Sequence, residues 1–228
     1  MLGKVISIVM VTASLLEGGM DAAMPDKNID GTAFLVNRQH AISANYVPQV
    51  RKTEVYGMSQ SMRDDAATAL EELFAAAKEE AGFSLATVSG YRSYSKQATI
   101  YARKKATTGS VEKADGLVAR AGTSEHQMGM AMDIAKKGSS QLNGGFGKTK
   151  EGQWVYANAW RFGFIVRYMQ GFEMITGYNY EPWHIRYVGK EHAKAIYQSG
   201  VPMETYMSSH RLAVYDYLIH QATNEVLP

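Results

Sequence analysis

The sequence predicts an α+β fold, in which a small antiparallel sheet carries a polar site and helices pack against its other face. Apolar residues at helical spacing over 62–81 predict one long helix. Two segments of alternating character, 130–134 and 183–188, predict strands, because successive strand residues point to opposite faces. With 46% hydrophobic and 20% charged residues among 228, the composition is that of an ordinary globular domain.

Charge and cysteine content exclude several classes of protein and site. The formal net charge is +2 and the basic residues form no block, so nucleic-acid binding is not indicated. The absence of cysteine excludes disulfides, a thiolate zinc site and a lipid-modified N-terminal cysteine. No feature of the sequence implies an obligate protein partner.

Residues 1–33 are predicted to be a leader and a linker, followed by one domain over 34–228. Lys4 precedes an apolar run over 5–16, as in the n- and h-regions of a secretory signal. The run is too short to span a bilayer comfortably, and no clean cleavage site follows it. We expect an extracytoplasmic protein; the alternatives are a buried first strand or an expression remnant on a cytoplasmic protein.

The helix over 62–81 has signals at both ends. Ser59 or Ser61 is placed to cap its first turn. Gly82 is placed to end it, because helices commonly close on a glycine in the left-handed conformation. Its apolar stripe, expected to face the core, consists of Ala66, Leu70, Leu73, Phe74, Ala77 and Ala81.

The remaining elements are short and separated by segments rich in Gly, Ser and Asn. Strands are predicted over 34–37, 85–88 and 164–168, with an extended segment over 42–48. Helices are predicted from Ser93 or Ser95 to about 105, over 111–120 with a break at Gly116, and over 154–162, 190–198 and 203–220. Residues 136–152 are predicted to form a loop, either mobile at the rim of the site or a plain surface connection.

The segment 122–134 holds the first candidate site residues. His126 and Asp133 lie in a stretch otherwise low in charge, and a turn at Gly129 leads from the histidine into the strand. The core side of that strand is expected to consist of Met130, Met132 and Ile134. Gly129 and Ala131 leave room beside the carboxylate, and a metal ion held by Asp133 and His126 fits that space.

A third candidate ligand lies in the segment 180–188. Pro182 disfavours a helical conformation for the residue before it, so the segment is expected to be extended. Alternation places Trp183, Ile185 and Tyr187 on one face and His184, Arg186 and Val188 on the other. His184 can therefore face the site, and Glu181 reaches the same space from the start of the strand.

Together these residues predict one zinc ion per chain. A catalytic zinc takes three protein ligands and keeps an open position, and His126, Asp133 and His184 supply the three. Glu181 is then the unligated general base. The alternative is a metal-free His–Asp pair that orients Ser124 as a nucleophile, but the chain has no Gly-x-Ser-x-Gly elbow. The remaining histidines are expected to be structural: His40, His192, His210 and His220.

Three blocks of sequence resemble one family. Ser-Gly-Tyr-Arg-Ser at 89–93, Ser-Glu-His-Gln-x-Gly-x-Ala-x-Asp-Ile at 124–134 and Glu-Pro-Trp-His-x-Arg-Tyr-Val-Gly at 181–189 are similar to the zinc D-alanyl-D-alanine carboxypeptidases of the VanY type. That family includes L,D-carboxypeptidases and belongs with lysostaphin-like peptidases and Hedgehog domains. The resemblance runs from about 34 to 207. It departs at Gly171-Phe-Glu173, where many relatives have a Gly-Lys-Glu turn.

The resemblance implies roles for further residues. Arg92, Gln97 and Ser124 match substrate-binding positions of the family. Arg92 follows a strand and Gln97 lies in the next helical turn, so the two are expected to be close together. A guanidinium there suits a carboxylate or a developing oxyanion. Trp183 and Tyr187 have two alternative roles, as walls of the substrate pocket or as aromatic residues of the core, and the sequence favours neither.

The function expected from this resemblance is that of a zinc carboxypeptidase which removes C-terminal D-alanine from peptidoglycan stem peptides. Within enzymes, the alternatives are L,D-carboxypeptidase activity or an internal endopeptidase cut. From another class, the alternative is a zinc-stabilised cell-wall-binding module without catalysis. Glu181 and Arg92 argue against that module, since a purely structural zinc site needs neither.

Overall fold

In the computed structural model, which describes residues 29, 31–210 and 212, the strands form a central four-stranded antiparallel sheet. Its strands are β3 (Leu85–Ser89), β4 (Ala131–Lys136), β5 (Phe164–Tyr168) and β6 (Glu181–Tyr187). Their order is β3-β4-β6-β5, so the strands that carry the two metal-site segments are central and adjacent. A separate two-stranded ribbon pairs β1 (Arg51–Lys52) with β2 (Ser61–Met62). The predicted α+β class and antiparallel sheet are confirmed.

Six helices lie within residues 36–202, the part of the chain that contains this sheet. They are α1 (Asp64–Ala81), α2 (Tyr94–Thr108), α3 (Val111–Asp115), α4 (Lys150–Asn158), α5 (Glu173–Thr176) and α6 (Lys190–Ser199). Short 3₁₀ turns cover Glu125–Met128, Phe146–Lys148 and Ala159–Phe162. No helix among the described residues is long and apolar enough to cross a membrane.

The core lies between α1 and one face of the sheet. From α1 it contains Ala66, Leu70, Leu73, Phe74 and Ala77, as the helical spacing predicted. From the sheet it contains Met132, Ile134, Phe164 and Ile185. Ala131 on the opposite face of β4 is also fully buried, so this strand is covered on both sides.

The N-terminus of α1 corrects one prediction. Ser61 and Met62 pair with β1, so the helix begins two residues later than expected. Its N-cap is Arg63, without a capping side-chain hydrogen bond, and neither Ser59 nor Ser61 has that role. The other end is as predicted, with Gly82 in the left-handed conformation at φ 70°.

Two predictions near the start of the described chain are wrong. Residues 34–37 form no strand. The Asn37 side chain accepts hydrogen bonds from the backbone nitrogens of Gln39 and His40 at 2.9 and 3.1 Å, which bends the chain into a turn. The segment over 42–48 is likewise interrupted, since Tyr46 N donates to Ser43 O at 3.1 Å.

The later elements follow the prediction with shifted ends. Ser93 caps α2, which runs to Thr108, and α3 stops before Gly116. The predicted helix over 154–162 begins earlier, at Lys150, and closes through a 3₁₀ turn at Gly163.

The loop over 136–152 divides into two parts. Its second half folds inward, with Phe146 buried in the core. The second half is therefore not the plain surface connection considered from the sequence.

Two units make up the chain, 36–202 and a second formed by 1–35 with 203–228. All site residues described below belong to the first. In the second, a helix over 203–210 buries Met203 and Met207. The predicted leader run over 5–16 and most of the helix predicted beyond 210 lie outside the described residues.

Candidate active site

Three buried side chains converge at the centre of the sheet. His126 comes from the 3₁₀ turn before β4, Asp133 from β4 and His184 from β6. His126 Nε2 lies 3.4 Å from Asp133 Oδ2, and His184 Nδ1 lies 3.2 Å from Asp133 Oδ1. Their candidate ligand atoms all lie within 4.8 Å of one another. The structure thus brings together the three residues predicted to bind metal.

The polar atoms of this cluster fit a cation. His126 Nε2 and Asp133 Oδ1 are buried and have no hydrogen-bond partner within the described part of the chain. His126 Nδ1 lies 2.8 Å from Gly90 O, a carbonyl that only accepts, so Nδ1 bears the hydrogen and Nε2 keeps its lone pair. Burial, with Arg92 nearby, lowers the pKa of His126 to about 4, so the ring is neutral. A neutral imidazole beside a carboxylate is a donor set that zinc accepts.

Without a metal, Asp133 and His184 form a charged pair. Burial opposes ionisation of Asp133, but the two histidines hold the pKa of that carboxyl well below its usual range. Burial would also lower the pKa of His184, yet its contacts with Asp133 and Glu125 raise it to about 9. A bound cation would take the place of the proton that these carboxylates attract.

Behind His184 lies a buried carboxylate that the sequence reasoning missed. Glu125 Oε2 is 3.1 Å from His184 Nε2. Its other oxygen, Oε1, accepts hydrogen bonds from Arg167 Nε at 2.7 Å and Arg186 Nη1 at 3.0 Å. Alternation places Arg186 on the face of His184 without an assigned partner, and Glu125 is the acid next to the predicted ligand His126. That was the signal available.

A cavity of about 530 Å³ opens over the cluster. His126, Asp133 and His184 line it, together with Arg92, Gln97, Ser124, Glu181 and Trp183. Further lining residues not singled out from the sequence include Lys104, Leu142, Asn143, Tyr168 and Tyr178. Leu142 and Asn143 place the first half of the predicted loop at the cavity, as one of the two interpretations held.

Glu181 has the properties of a base that works near neutral pH. It is largely buried, and burial raises its pKa from the ordinary 4.5 to about 7, with Asp133 adding to the shift and His184 and Arg92 opposing it. No hydrogen bond within the described residues holds it in the metal cluster, and it is not one of the three grouped ligands.

Arg92 is tied to the metal cluster by charge and by the backbone. Its Nη2 lies 3.7 Å from Asp133 Oδ2, and its Nε is buried with no hydrogen-bond partner among the described residues. Its backbone N donates to His126 O at 3.1 Å, while the His126 ring donates to Gly90 O at 2.8 Å. These two opposed hydrogen bonds, here called the His126 clasp, join the loop of Arg92 to the turn of His126.

Gln97 and Ser124 lie where a substrate end could meet them. Gln97 is 1% exposed, and its Nε2 donates to Ala119 O at 2.6 Å while its Oε1 has no partner in the described structure. Ser124 is 3% exposed, and its hydroxyl caps no helix. Both line the cavity with Arg92, and their role in binding substrate stays a prediction.

Of the two aromatic candidates, Trp183 lines the cavity and Tyr187 does not. Trp183 lines the cavity and also packs against the core. Tyr187 does not line this cavity; its ring packs 5.3 Å from that of Phe164. Tyr187 thus follows the core alternative, because the far end of β6 lies over the apolar face. Tyr168, which the sequence did not single out, places its ring 4.9 Å from His184.

The space expected beside Gly129 and Ala131 is absent. A Cβ on Gly129 would lie 2.9 Å from Val50 Cγ1. Ala131 is fully buried opposite Arg186 in the β4–β6 register. The cavity over the site is lined instead by other residues, Glu181 and Trp183 among them.

Comparison with known proteins places this arrangement in a family. The VanY family, described as D-alanyl-D-alanine carboxypeptidase, matches residues 59–190. The YodJ protein of Bacillus subtilis strain 168, which carries a carboxypeptidase name, is 44% identical over 188 residues, covering 79% of this chain and 68% of that protein.

Two solved structures extend the likeness to the fold. The LdcB LD-carboxypeptidase matches with a TM-score of 0.74 and 43% identity, covering 80% of this chain and 88% of that one. A mutant of the vancomycin-resistance D,D-pentapeptidase VanY, in complex with Zn(II), matches with a TM-score of 0.67 and 35% identity, covering 77% and 98%. The likeness to the Zn(II) complex agrees with the donor set found here.

Proposed function

Since this chain belongs to the VanY D-alanyl-D-alanine carboxypeptidase family, we propose that it is a zinc carboxypeptidase which removes C-terminal D-alanine from peptidoglycan stem peptides. The observation that carries the proposal is the position of Glu181. This partly buried carboxyl, with a pKa raised to about 7, lines the cavity that the His126–Asp133–His184 cluster also lines. A group of that kind beside a three-ligand metal site suits hydrolysis better than it suits a binding module.

The metal would be held by His126, Asp133 and His184. When bound, zinc supplies Lewis acidity that makes water a better nucleophile near neutral pH and polarises a carbonyl. The neutral ring of His126 and the ionised carboxyl of Asp133 are already in the protonation states that binding requires.

Glu181 moves the proton. Its ionised carboxylate takes a proton from the attacking water as the new C–O bond forms, and returns it to the leaving nitrogen as the C–N bond breaks. The products are a shortened peptide with a new carboxylate and free D-alanine. A pKa near 7 suits both halves of this exchange, because the group must accept and then give up the same proton.

Arg92 supplies a fixed positive charge beside the reacting carbonyl or the substrate end. A guanidinium can stabilise a developing oxyanion or pair with a terminal carboxylate. Gln97 and Ser124 are the other polar groups proposed to receive that carboxylate, since all three line the cavity.

The bond cleaved has two candidates. The family description and the VanY D,D-pentapeptidase favour the bond between two D-alanines. A specific observation favours the bond after an L-residue, because the LdcB LD-carboxypeptidase has the higher identity and TM-score. We propose D,D-carboxypeptidase activity as the main function, with L,D activity as the second candidate.

The test is a panel of stem pentapeptides ending in D-Ala-D-Ala and tetrapeptides ending in one D-alanine. D-alanine released from the pentapeptide alone would support the D,D activity, and release from the tetrapeptide would support the L,D activity. Glu181→Gln, loaded with zinc, is the control for contaminating peptidases. No release from either peptide by zinc-loaded protein would overturn the proposed function.

We propose further that the enzyme acts outside the cytoplasm, where peptidoglycan is exposed. The support is the charged and apolar pattern of residues 4–16. Fractionation of cells that express the full chain, with activity assayed in each fraction, checks this.

A further inference from the structure

We propose that Glu125 is a positioning residue, which sets the tautomer of His184 so that Nδ1 is the nitrogen left free for metal. The inference rests on the metal site of the proposed function. It concerns a residue that lines the same cavity but is not one of the three grouped ligands, and whose carboxylate oxygens contact His184, Arg167 and Arg186.

Glu125 is enclosed completely. Its side chain is 0% exposed, as are those of Arg167 and Arg186. Oε1 receives both guanidinium groups, at 2.7 and 3.0 Å, and Oε2 is left to face His184 Nε2 at 3.1 Å. The carboxylate therefore has one oxygen committed to charge pairing and one committed to the imidazole.

This division fixes the hydrogen on His184. A carboxylate paired with two guanidinium groups is ionised and can only accept hydrogen bonds. His184 Nε2 must then be the donor, and in a neutral ring the other nitrogen has no hydrogen. That other nitrogen, Nδ1, lies 3.2 Å from Asp133 Oδ1, on the side of the metal cluster. Glu125 thus leaves a lone pair at the atom that faces Asp133.

The two arginines hold the carboxylate in this role. Arg186 lies on β6, two residues beyond His184, and Arg167 lies on the neighbouring β5. Glu125 itself precedes His126 in the 3₁₀ turn. One carboxylate therefore links the turn that carries one ligand to the strand that carries another. The Gly90 carbonyl has the same effect on His126, because it accepts the hydrogen of Nδ1 and leaves Nε2 with its lone pair.

Glu125→Gln tests the proposal because an amide has only one oxygen. If that oxygen stays with the arginines, the NH₂ group faces His184 Nε2 and makes it an acceptor, which moves the ring hydrogen to Nδ1. If the amide turns round, its NH₂ group faces two guanidinium donors. Both orientations of the amide therefore disfavour the metal-binding tautomer of His184 or its support by the arginines. Loss of a group that orients a metal-ligating histidine typically lowers metal affinity by roughly 10–100-fold.

The experiment measures the zinc dissociation constant by competition with a chelator. Glu125→Gln should weaken it by roughly 10–100-fold. The matched control is Asp115→Asn, which changes another carboxylate that binds an arginine, with Arg120 at 2.7 Å, outside the site. It should leave zinc affinity unchanged. If both variants lose thermal stability but neither loses zinc affinity, Glu125 is only structural and the proposal is wrong.

A second measurement needs no variant, should Glu125→Gln fail to fold. In zinc-loaded wild-type protein labelled with ¹⁵N-histidine, His184 should show a hydrogen on Nε2 and none on Nδ1. The reverse pattern would overturn the proposal. Wild-type protein that binds no zinc at all would instead refute the metal site of the proposed function, so the two failures are distinguishable.

Discussion

Asp133 and His184 are register partners across β4 and β6, with His184 Nδ1 3.2 Å from Asp133 Oδ1. The backbone ladder of the two central strands therefore aligns two of the three proposed ligands. Only His126 comes from outside the sheet, and the His126 clasp holds it. A site that is aligned by the fold loses little conformational freedom when the metal binds.

The first prediction concerns metal content. Purified wild-type protein should contain about one zinc per chain, and His126→Ala or His184→Ala should lose it, because two ligands do not make a catalytic zinc site. Elemental analysis after gel filtration checks this. His192→Ala, on α6 and away from the cavity lining, is the control and should keep its zinc. Wild-type protein without metal, and without activity gained on adding zinc, would contradict the ligand assignment.

The second prediction separates the base from the ligands. Glu181→Gln keeps the size of the side chain but cannot accept a proton, so turnover should fall by roughly 10²–10⁴-fold. Zinc content and substrate affinity should hardly change, because the carboxylate acts mainly in the transition state. Rates and zinc content are measured on the same preparation. Loss of zinc would make Glu181 a ligand, and full activity would assign the base to another group.

The third prediction is a pH dependence. Glu181 must be ionised to accept a proton, so kcat/KM should fall as the pH drops through its pKa. Burial raises that pKa to about 7, and the positive charge of bound zinc pulls it back towards the ordinary 4.5. The acidic limb should therefore lie between these two values, when measured with zinc in excess. A rate that stays level from pH 7 to pH 4.5 would exclude Glu181 as the base.

A fourth prediction concerns the end of the substrate. If Arg92, Gln97 and Ser124 receive a terminal carboxylate, amidation of the peptide C-terminus should abolish cleavage. The free acid and the amide are compared at equal concentration by chromatography of the products. Equal rates on both would identify an endopeptidase instead.

Stability gives a fifth prediction, at the turn between His126 and β4. Gly129 has φ +69°, and an added Cβ would lie 2.9 Å from Val50 Cγ1. Gly138 has φ +84° but nothing within 4 Å, so Gly138→Ala isolates the backbone strain, worth roughly 1–2 kcal/mol. Gly129→Ala should lower the free energy of unfolding further than Gly138→Ala in urea titrations. Equal losses would show that the turn has room to adjust.

The parts of the fold that the sequence predicts well are those with a long or regular pattern. The apolar stripe of α1 is predicted because burial follows helical periodicity, and the strands over 85–88 and 164–168 are short apolar runs between turn segments. The start of α1 was missed because Ser61 and Met62 are taken by a two-residue pairing with β1, a contact distant in sequence. The predicted strand over 34–37 is wrong because the Asn37 side chain accepts hydrogen bonds from the backbone nitrogens of Gln39 and His40, which form a turn.

The site shows the same division. His126, Asp133 and His184 stand in motifs whose spacing implies a shared position, and the structure brings them together. Glu125 and Arg167 could not be paired from sequence, because they are 42 residues apart and no periodicity relates a 3₁₀ turn to a strand. The exclusion of Tyr187 from the cavity depends likewise on how β6 crosses the core.

The His126 clasp has a consequence for thermodynamic linkage. Because Arg92 N donates to His126 O and the His126 ring donates to Gly90 O, a ligand that fixes the loop of Arg92 also restrains the turn of His126. Coupling between two binding equilibria is reciprocal, so a carboxylate bound at Arg92 should tighten zinc binding by the same free energy with which zinc tightens carboxylate binding.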